Sequence, residues 1–407
     1  MSSDNSVQMN LDSAGNMVRT LTKGLSIWVL VGWALFLFGF FILPKQNALK
    51  IEFYLLLVLP SLLLIPHWVK YYKKYRSPLL TMSLIFTGYM ATTFFWSGVP
   101  LADWFFFFYK QVVFIFLWLL VTTWVSHHYP RLYFQTPIAL VVIGSVVSVI
   151  TVASYFYNHG WSFPRLTGLG ILENSLVFAQ AMGGVALASY VFCLQEENRS
   201  KAFFYAVAAF CCGTGVLLTQ SRGPVAAMIL TILIVSVLIG MDKKRVILLL
   251  FVGVIAAISV VGVFPDSLDG LVREGKFLSY RDLIWKKVLE NSADHLWFGQ
   301  GVVRFTDFDV TDRLSFQHSH NVFIDTIRFG GIVGVVLLLA HMGLAFKGWK
   351  NAQQHYPLYA WLLFGCLCML TNGKFLLVRP DWIWLCYWLP IGFICAAQNR
   401  AELGIDR

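Results

Sequence analysis

Long apolar runs alternate with short polar connections along most of the chain. The runs have about the length that an α-helix needs to cross the hydrocarbon core of a bilayer, roughly 20 residues. The pattern therefore predicts an all-α polytopic membrane protein that forms a single integral domain over residues 1–407. About twelve spanning helices are expected, at residues 25–43, 51–68, 79–97, 104–125, 136–157, 171–194, 202–220, 224–241, 246–264, 320–345, 357–371 and 382–397.

Composition agrees with a membrane location. Of the 407 residues, 58% are hydrophobic and 13% are charged, and the mean hydropathy is +0.68, which excludes a water-soluble globule. The run from Leu25 to Leu43 is longer than a signal-peptide core and has no small-residue cleavage site behind it, so we expect a retained first span. All seven cysteines lie in apolar segments, which argues against disulfides and structural zinc.

The basic residues indicate the orientation in the membrane. Lysines and arginines concentrate in alternate connections, which by the positive-inside bias face the cytoplasm together with both termini. These residues are Lys70, Lys73, Lys74, Arg76, Arg131, Arg199, Lys201, Lys243, Lys244, Arg245, Lys347 and Lys350. Because the formal charge of +10 is scattered over many loops, anionic lipids and phosphates are better partners than nucleic acid.

One outward-facing connection is long, and we expect it to form an external subdomain at residues 265–319, between the ninth and tenth spans. It is rich in charge, and a long connection in a compact protein is usually functional. Ser279 and Asp282 resemble a capping box. An amphipathic helix lying on the membrane is predicted from the helical spacing of Ile284, Trp285, Val288, Leu289, Leu296 and Trp297.

The most distinctive string is Gln317-His318-Ser319-His320-Asn321, where this loop re-enters the bilayer. A histidine at the mouth of a helix can take a proton from a sugar hydroxyl near neutral pH. His318 and Asn321 are candidate substrate-binding residues beside it. The alternative is an interfacial histidine that only packs or forms hydrogen bonds.

Two arginines are candidates for binding a pyrophosphate. Arg222 lies in the tight external turn Thr219–Pro224, and Arg281 lies in the first turn of the predicted amphipathic helix. Two converging guanidinium groups would bind the anion bidentately and neutralise charge on a leaving group. A snorkelling Arg222 and a solvated Arg281 are the alternatives. Further candidates for substrate binding are Lys374, Arg379 and Arg165.

No nucleotide-binding or metalloprotease motif occurs, so the energy for a reaction must come with the substrate, and no cofactor is expected. Asp307, Asp309 and Asp312 are candidate ligands for Mg²⁺ or Mn²⁺, but acidic residues in a mixed-charge loop are usually just solvated. We expect no metal site.

The pattern His320-Asn321, nine residues, then Gly331-x-x-Gly334 resembles the motif of the bacterial O-antigen ligase family. Ser221-Arg222-Gly223, Arg281-x-x-x-Trp285 and Phe298-Gly299-x-Gly301 support the resemblance. It implies a GT-C-like membrane glycosyltransferase of the inner membrane. Such an enzyme would transfer a glycan from undecaprenyl pyrophosphate to a sugar hydroxyl of lipid A-core, completing lipopolysaccharide on the periplasmic side.

The resemblance also implies roles for three residues. His320 would be the general base that activates the acceptor, while Arg222 and Arg281 would stabilise the pyrophosphate leaving group. No metal ion would take part, and the anomeric centre would be inverted.

Related O-antigen polymerases and protein O-oligosaccharyltransferases share these elements and are the alternatives within the superfamily. A secondary transporter or flippase is the alternative of another class, since about twelve spans are common there.

Overall fold

The computed structural model describes residues 3–98, 108–160, 164–240, 281–302, 308–311, 314–349 and 353–405, together with Pro100, Ala102, Phe105 and Phe106. Most of these residues are helical. The α-helices are α1 (Ser3–Ile42), α2 (Gln46–Glu52), α3 (Leu59–Leu63), α4 (Ile65–Tyr75), α5 (Pro78–Thr92), α6 (Phe114–His128), α7 (Pro130–His159), α8 (Ser175–Gln195), α9 (Arg199–Leu218), α10 (Arg222–Leu238), α11 (Arg281–Ser292), α12 (Val322–Lys347), α13 (Tyr356–Asn372) and α14 (Leu389–Glu402). Turns of π-helix lie at Phe53–Val58, Phe108–Val113 and Trp384–Trp388.

Eight described stretches are long and apolar enough to cross a bilayer, which confirms a helical, polytopic membrane protein. They are Thr22–Ile42, Gln46–Leu63, Pro78–Trp96, Lys110–His128, Pro130–His159, Ser175–Gln195, Arg199–Leu218 and Val322–Lys347. The shorter apolar helix α10 fills the eighth predicted run. The predicted ninth run, 246–264, lies outside the described residues, so the number of twelve spans stays a prediction.

Tryptophans join the helices at the centre of the protein. The indole N–H of Trp33 in α1 donates to Thr122 Oγ1 of α6 at 3.0 Å, and that of Trp118 in α6 donates to the carbonyl oxygen of Trp388 at 2.8 Å. These side chains are fully buried. Because no water is available in the interior, each buried indole N–H needs such a partner. The pairs fix α1, α6 and the segment before α14 against one another.

Helix α12 is broken at Gly331, whose φ of 61° and ψ of −163° are not helical. Beyond the break, the N–H groups of Ile332 and Val333 donate to the carbonyl oxygens of Leu296 and Trp297, at 2.9 and 3.2 Å. A Cβ at position 331 would lie 2.3 Å from the Trp297 carbonyl oxygen. Only glycine allows this positive φ and close approach, so the kink lets Leu296 and Trp297 bind to the backbone of α12.

The long connection before α12 contributes α11 and a short antiparallel hairpin of β1 (Phe308–Thr311) and β2 (Leu314–Phe316). A helix is thus present where the sequence predicted an amphipathic one, although Ser279 of the predicted capping box lies outside the described residues. Ile284 and Val288 are buried, and Phe316 and Ile324 pack against them. The apolar face of α11 is therefore directed towards the protein itself.

Candidate active site

His320 occupies a strained turn directly before α12. Its φ is 57°, in the left-handed region that residues with a side chain seldom adopt. Its N–H donates to His318 Nδ1 at 3.3 Å, and its carbonyl oxygen accepts from the N–H of Gly373 at 3.1 Å. The two imidazole rings stand edge to face, with centroids 4.2 Å apart. The turn thus presents a pair of histidines at the end of α12.

Two charged residues of α12 form hydrogen bonds to the backbone of the same turn. Asp325 is fully buried and accepts a hydrogen bond from the Ser319 N–H at 2.9 Å, and Arg328 donates to the carbonyl oxygen of Gln317 at 3.3 Å. The sequence analysis missed both residues. The sequence did contain a signal for them, an acidic and a basic residue three positions apart in an otherwise apolar span. Ionisable groups are costly in a membrane span unless they have a structural or catalytic role.

Asn321 caps α12. Its Oδ1 accepts hydrogen bonds from the N–H groups of Phe323 and Ile324, at 2.9 and 3.3 Å, and its Nδ2 donates to the carbonyl oxygen of Leu370 at 3.0 Å. The side-chain amide predicted to bind substrate therefore joins the start of α12 to the end of α13.

Arg281 is the first residue of α11 and lies close enough to His320 to act on it electrostatically. One turn later in α11, the indole N–H of Trp285 donates to the carbonyl oxygen of Ser319 at 2.9 Å. Residues four apart share a helix face, so the contact made by Trp285 directs Arg281 towards the histidine turn. The contact that holds α11 on the histidine turn therefore also places Arg281 near His320.

Arg222 begins α10, after a turn in which Gln220 has a φ of 52°. Arg165 holds this turn: its Nε donates to the carbonyl oxygen of Thr219 and its Nη2 to Ser221 Oγ, both at 2.9 Å. Arg165, which the sequence predicts to bind substrate, is therefore hydrogen-bonded to the turn that precedes Arg222.

Residues at the end of α13 join the Arg222 turn to the histidine. A Cβ at Gly223 would lie 2.5 Å from Thr371 Oγ1, so the backbone of α10 closely approaches Thr371. The next residue, Asn372, makes a side-chain hydrogen bond to His320. The end of α13 thus adjoins both Arg222 and His320, which are about a hundred residues apart in the sequence. Neither Thr371 nor Asn372 was singled out in the sequence analysis, and no sequence signal marks them.

The environment keeps both imidazoles neutral. Burial, together with the positive charge of Arg281, lowers the pKa of His320 below its usual 6.5, while the hydrogen bond to Asn372 acts in the opposite direction. Burial and the proximity of His320 and Lys374 lower the pKa of His318 to about 3. Among the described residues, the buried Nδ1 of His320 has no hydrogen-bond partner. A neutral imidazole in this position can accept a proton.

The remaining candidates for substrate binding, Lys374 and Arg379, lie in the segment that follows α13. Lys374 forms an ion pair with Asp381, its Nζ 2.5 Å from the carboxylate, and Arg379 is exposed. Of the acidic residues considered for a metal ion, Asp309 lies in β1, and Asp307 and Asp312 lie outside the described residues.

A family model described as O-antigen ligase matches residues 207–339, a range that contains Arg222, Arg281 and His320. The chain is also similar to an O-antigen ligase of Pseudomonas aeruginosa, with 27% identity over 395 residues and 94% of each chain covered. These findings confirm the resemblance to the O-antigen ligase family that the motifs indicated. They support a membrane enzyme of the glycosyltransferase type.

Proposed function

We propose that this relative of the O-antigen ligases transfers a glycan from undecaprenyl pyrophosphate to a sugar hydroxyl of lipid A-core. The reaction takes place at the outer face of the bacterial inner membrane, with residues 265–319 as an external subdomain and both termini in the cytoplasm. The family match supports the substrate classes. The geometry around His320 supports the roles of individual residues.

In the proposed reaction, the acceptor hydroxyl gives its proton to a neutral nitrogen of His320 while its oxygen attacks the anomeric carbon. The bond between that carbon and the pyrophosphate oxygen breaks, and undecaprenyl pyrophosphate leaves with the electron pair. Arg222 and Arg281 neutralise the charge that develops on the leaving group. Because the nucleophile enters opposite the leaving group, the anomeric centre is inverted.

The observation that carries this proposal is the arrangement around Thr371 and Asn372. One of these adjacent residues contacts the backbone beside Arg222, and the other forms a hydrogen bond with His320. Arg281 acts on the same imidazole from α11. A base and two cations grouped in this way match the needs of glycosyl transfer from a pyrophosphate, which requires proton removal and charge neutralisation at one place.

The direct test is transfer by the purified full-length protein in detergent, with a polyprenyl-pyrophosphate-linked glycan and lipid A-core. Product should form, and His320→Ala and Arg222→Ala should each lower kcat by roughly a hundredfold to a thousandfold, because each removes a preorganised group. Arg131→Ala is the matched control, since Arg131 is exposed at the start of α7 on the predicted cytoplasmic side.

Full activity in either variant at equal protein levels would refute that residue's role. Lack of product from the wild-type protein would refute the transferase. A transporter would give no covalent product, because detergent leaves no compartments to transport between.

A further inference from the structure

A second group of basic side chains lies beside the histidine pair. It consists of Lys374, Arg379 and Lys50, and we call it the rim cluster. Lys374 follows Gly373, whose N–H donates to the carbonyl oxygen of His320 at 3.1 Å, and it is close enough to act electrostatically on His318. Lys50, in α2, lies within electrostatic range of both Lys374 and Arg379. Like charges are brought together at a cost in free energy, so the arrangement indicates an anionic ligand.

The acid that pairs with Lys374 and acts on Lys50, Asp381, is already engaged. Asp381 is almost fully buried, and its Oδ2 pairs with Lys374 at 2.5 Å while its Oδ1 accepts a hydrogen bond from the N–H of Ile383 at 2.9 Å. This one negative charge cannot balance the combined charge of Lys374, Lys50 and Arg379. Lys374 also lies over the ring of Trp382, with its Nζ 5.6 Å from the centroid.

The segment that carries Lys374 and Arg379 is held in place by two tryptophan side chains. The indole N–H of Trp384 donates to the carbonyl oxygen of Val378 at 2.8 Å, and that of Trp388 donates to Leu376 at 2.9 Å. Residues Phe375 to Leu377 are buried, whereas Arg379 is exposed. A cation held on a fixed backbone loses little entropy when it binds a ligand, which favours specific recognition.

We propose that the rim cluster binds a phosphate group carried by the acceptor glycolipid. This inference rests on the proposed transferase function. The donor pyrophosphate is already assigned to Arg222 and Arg281, so a second cationic site next to the histidines suits the other substrate. Lys50 lies near the start of the second membrane-crossing stretch and Lys374 just after the end of α13, both at ends of apolar helices that the predicted orientation places towards the outer leaflet. A phosphate held there restricts the acceptor so that its hydroxyl can reach His320.

The test uses Lys50→Gln and Arg379→Gln, which leave the Lys374–Asp381 pair intact. Lys45→Gln is the matched control, because Lys45 is an exposed lysine directly before α2. In the transfer assay, each rim variant should raise the KM for a phosphorylated acceptor about tenfold and leave the KM for the donor unchanged. With a chemically dephosphorylated acceptor, wild-type and variant proteins should have the same raised KM.

An equal loss with both acceptors, or a raised KM for the donor, would overturn the assignment. A second arm measures binding of the purified protein to micelles of the phosphorylated glycolipid and of phosphatidylglycerol. Equal binding of both lipids would show that the lysines and arginine serve only general contact with anionic lipid, and would also overturn it. Preferential glycolipid binding without any transfer would support the rim cluster while refuting the transferase, so the two failures are distinguishable.

Discussion

At the scale of single residues, the unusual feature is the backbone of His320. A left-handed conformation at a residue with a side chain costs of order 1–3 kcal/mol and persists only where the surroundings impose it. Here the Ser319 N–H is held by the buried Asp325, and the His320 carbonyl oxygen is held by the N–H of Gly373. The strain therefore places the imidazole of His320 between the ends of α12 and α13.

The pH dependence of the reaction follows from the environment of His320. A base must be neutral to act, so activity falls as the pH drops through its pKa in the folded protein. Because burial and Arg281 lower that pKa, the acidic limb of kcat/KM should lie below pH 6.5. Arg281→Gln removes a nearby positive charge and should move the limb to higher pH. Asn372→Ala removes a hydrogen bond that raises the pKa and should move it to lower pH.

The measurement is a pH profile of kcat/KM for each purified variant. Low residual activity is sufficient for this measurement, because the pH at which kcat/KM falls does not depend on the maximum value of kcat/KM. Arg131→Ala should leave the position unchanged. Shifts of the two variants in the same direction would show that another group sets the limb.

Sequence reasoning at this scale marks candidate reactive residues, but it does not mark the residues that contact them. Arg222, Arg281 and His320 stand out because polar residues beside apolar runs are conspicuous. Asn372 does not, because an asparagine at the end of a helix is ordinary. Its significance depends on a contact with a residue 52 positions away in the sequence, which no local pattern encodes.

At the scale of elements, the decisive contact is the docking of α11 on the histidine turn. Ile284 and Val288 supply the buried apolar face, and Trp285 supplies the hydrogen bond to Ser319. The predicted helix was recognisable from its periodicity, but the contacts of Ile284 and Val288 with Phe316 and Ile324 were not. Leu289, Leu296 and Trp297 are exposed, and their contact with a membrane surface stays a prediction. An amphipathic pattern shows that a face is covered, and it cannot show by what.

Trp285→Phe tests this docking. The substitution keeps an aromatic ring but removes the N–H, which leaves the Ser319 carbonyl oxygen without this donor. A buried hydrogen bond contributes about 1 kcal/mol, and an unsatisfied group costs more, so kcat should fall about tenfold. Trypsin should also cleave faster after Lys286, an exposed residue of α11.

Trp28→Phe is the control, since Trp28 is an exposed tryptophan of α1. Wild-type rates of both transfer and cleavage in Trp285→Phe would mean that α11 is held in place without this hydrogen bond.

The kink of α12 is a second feature at this scale that the sequence could not supply. The motif with Gly331 and Gly334 was visible, yet its physical role is a broken helix whose free N–H groups are satisfied by Leu296 and Trp297. The periodicity of the predicted run 320–345 gives no sign of a break. The break requires two segments about 35 residues apart to meet, which is a tertiary event.

At the scale of the whole molecule, the distribution of charge and the length of the spans together predict which face of the protein is cytoplasmic and which is external. Helix α9 runs from Arg199, in a connection rich in basic residues, to Leu218, next to the turn of Arg222. Its 20 residues rise about 30 Å, the thickness of the hydrocarbon core. The predicted orientation therefore places Arg199 in the cytoplasm and Arg222 outside. Arg281 and His320 lie on the same side as Arg222. Helix α11 packs on the histidine turn, and the end of α13 contacts both that turn and the turn of Arg222.

Cysteine labelling in intact cells tests this orientation. In a variant without the native cysteines, Leu283→Cys and Gln317→Cys should react with a membrane-impermeant maleimide, because both side chains are exposed on the outer loop. Lys74→Cys and Glu197→Cys are exposed in the basic connections and should react only after the membrane is permeabilised. Protection of Leu283→Cys or Gln317→Cys until permeabilisation would place the histidine turn in the cytoplasm. An acceptor glycolipid in the outer leaflet could then not reach His320, and the proposed reaction would be impossible at this site.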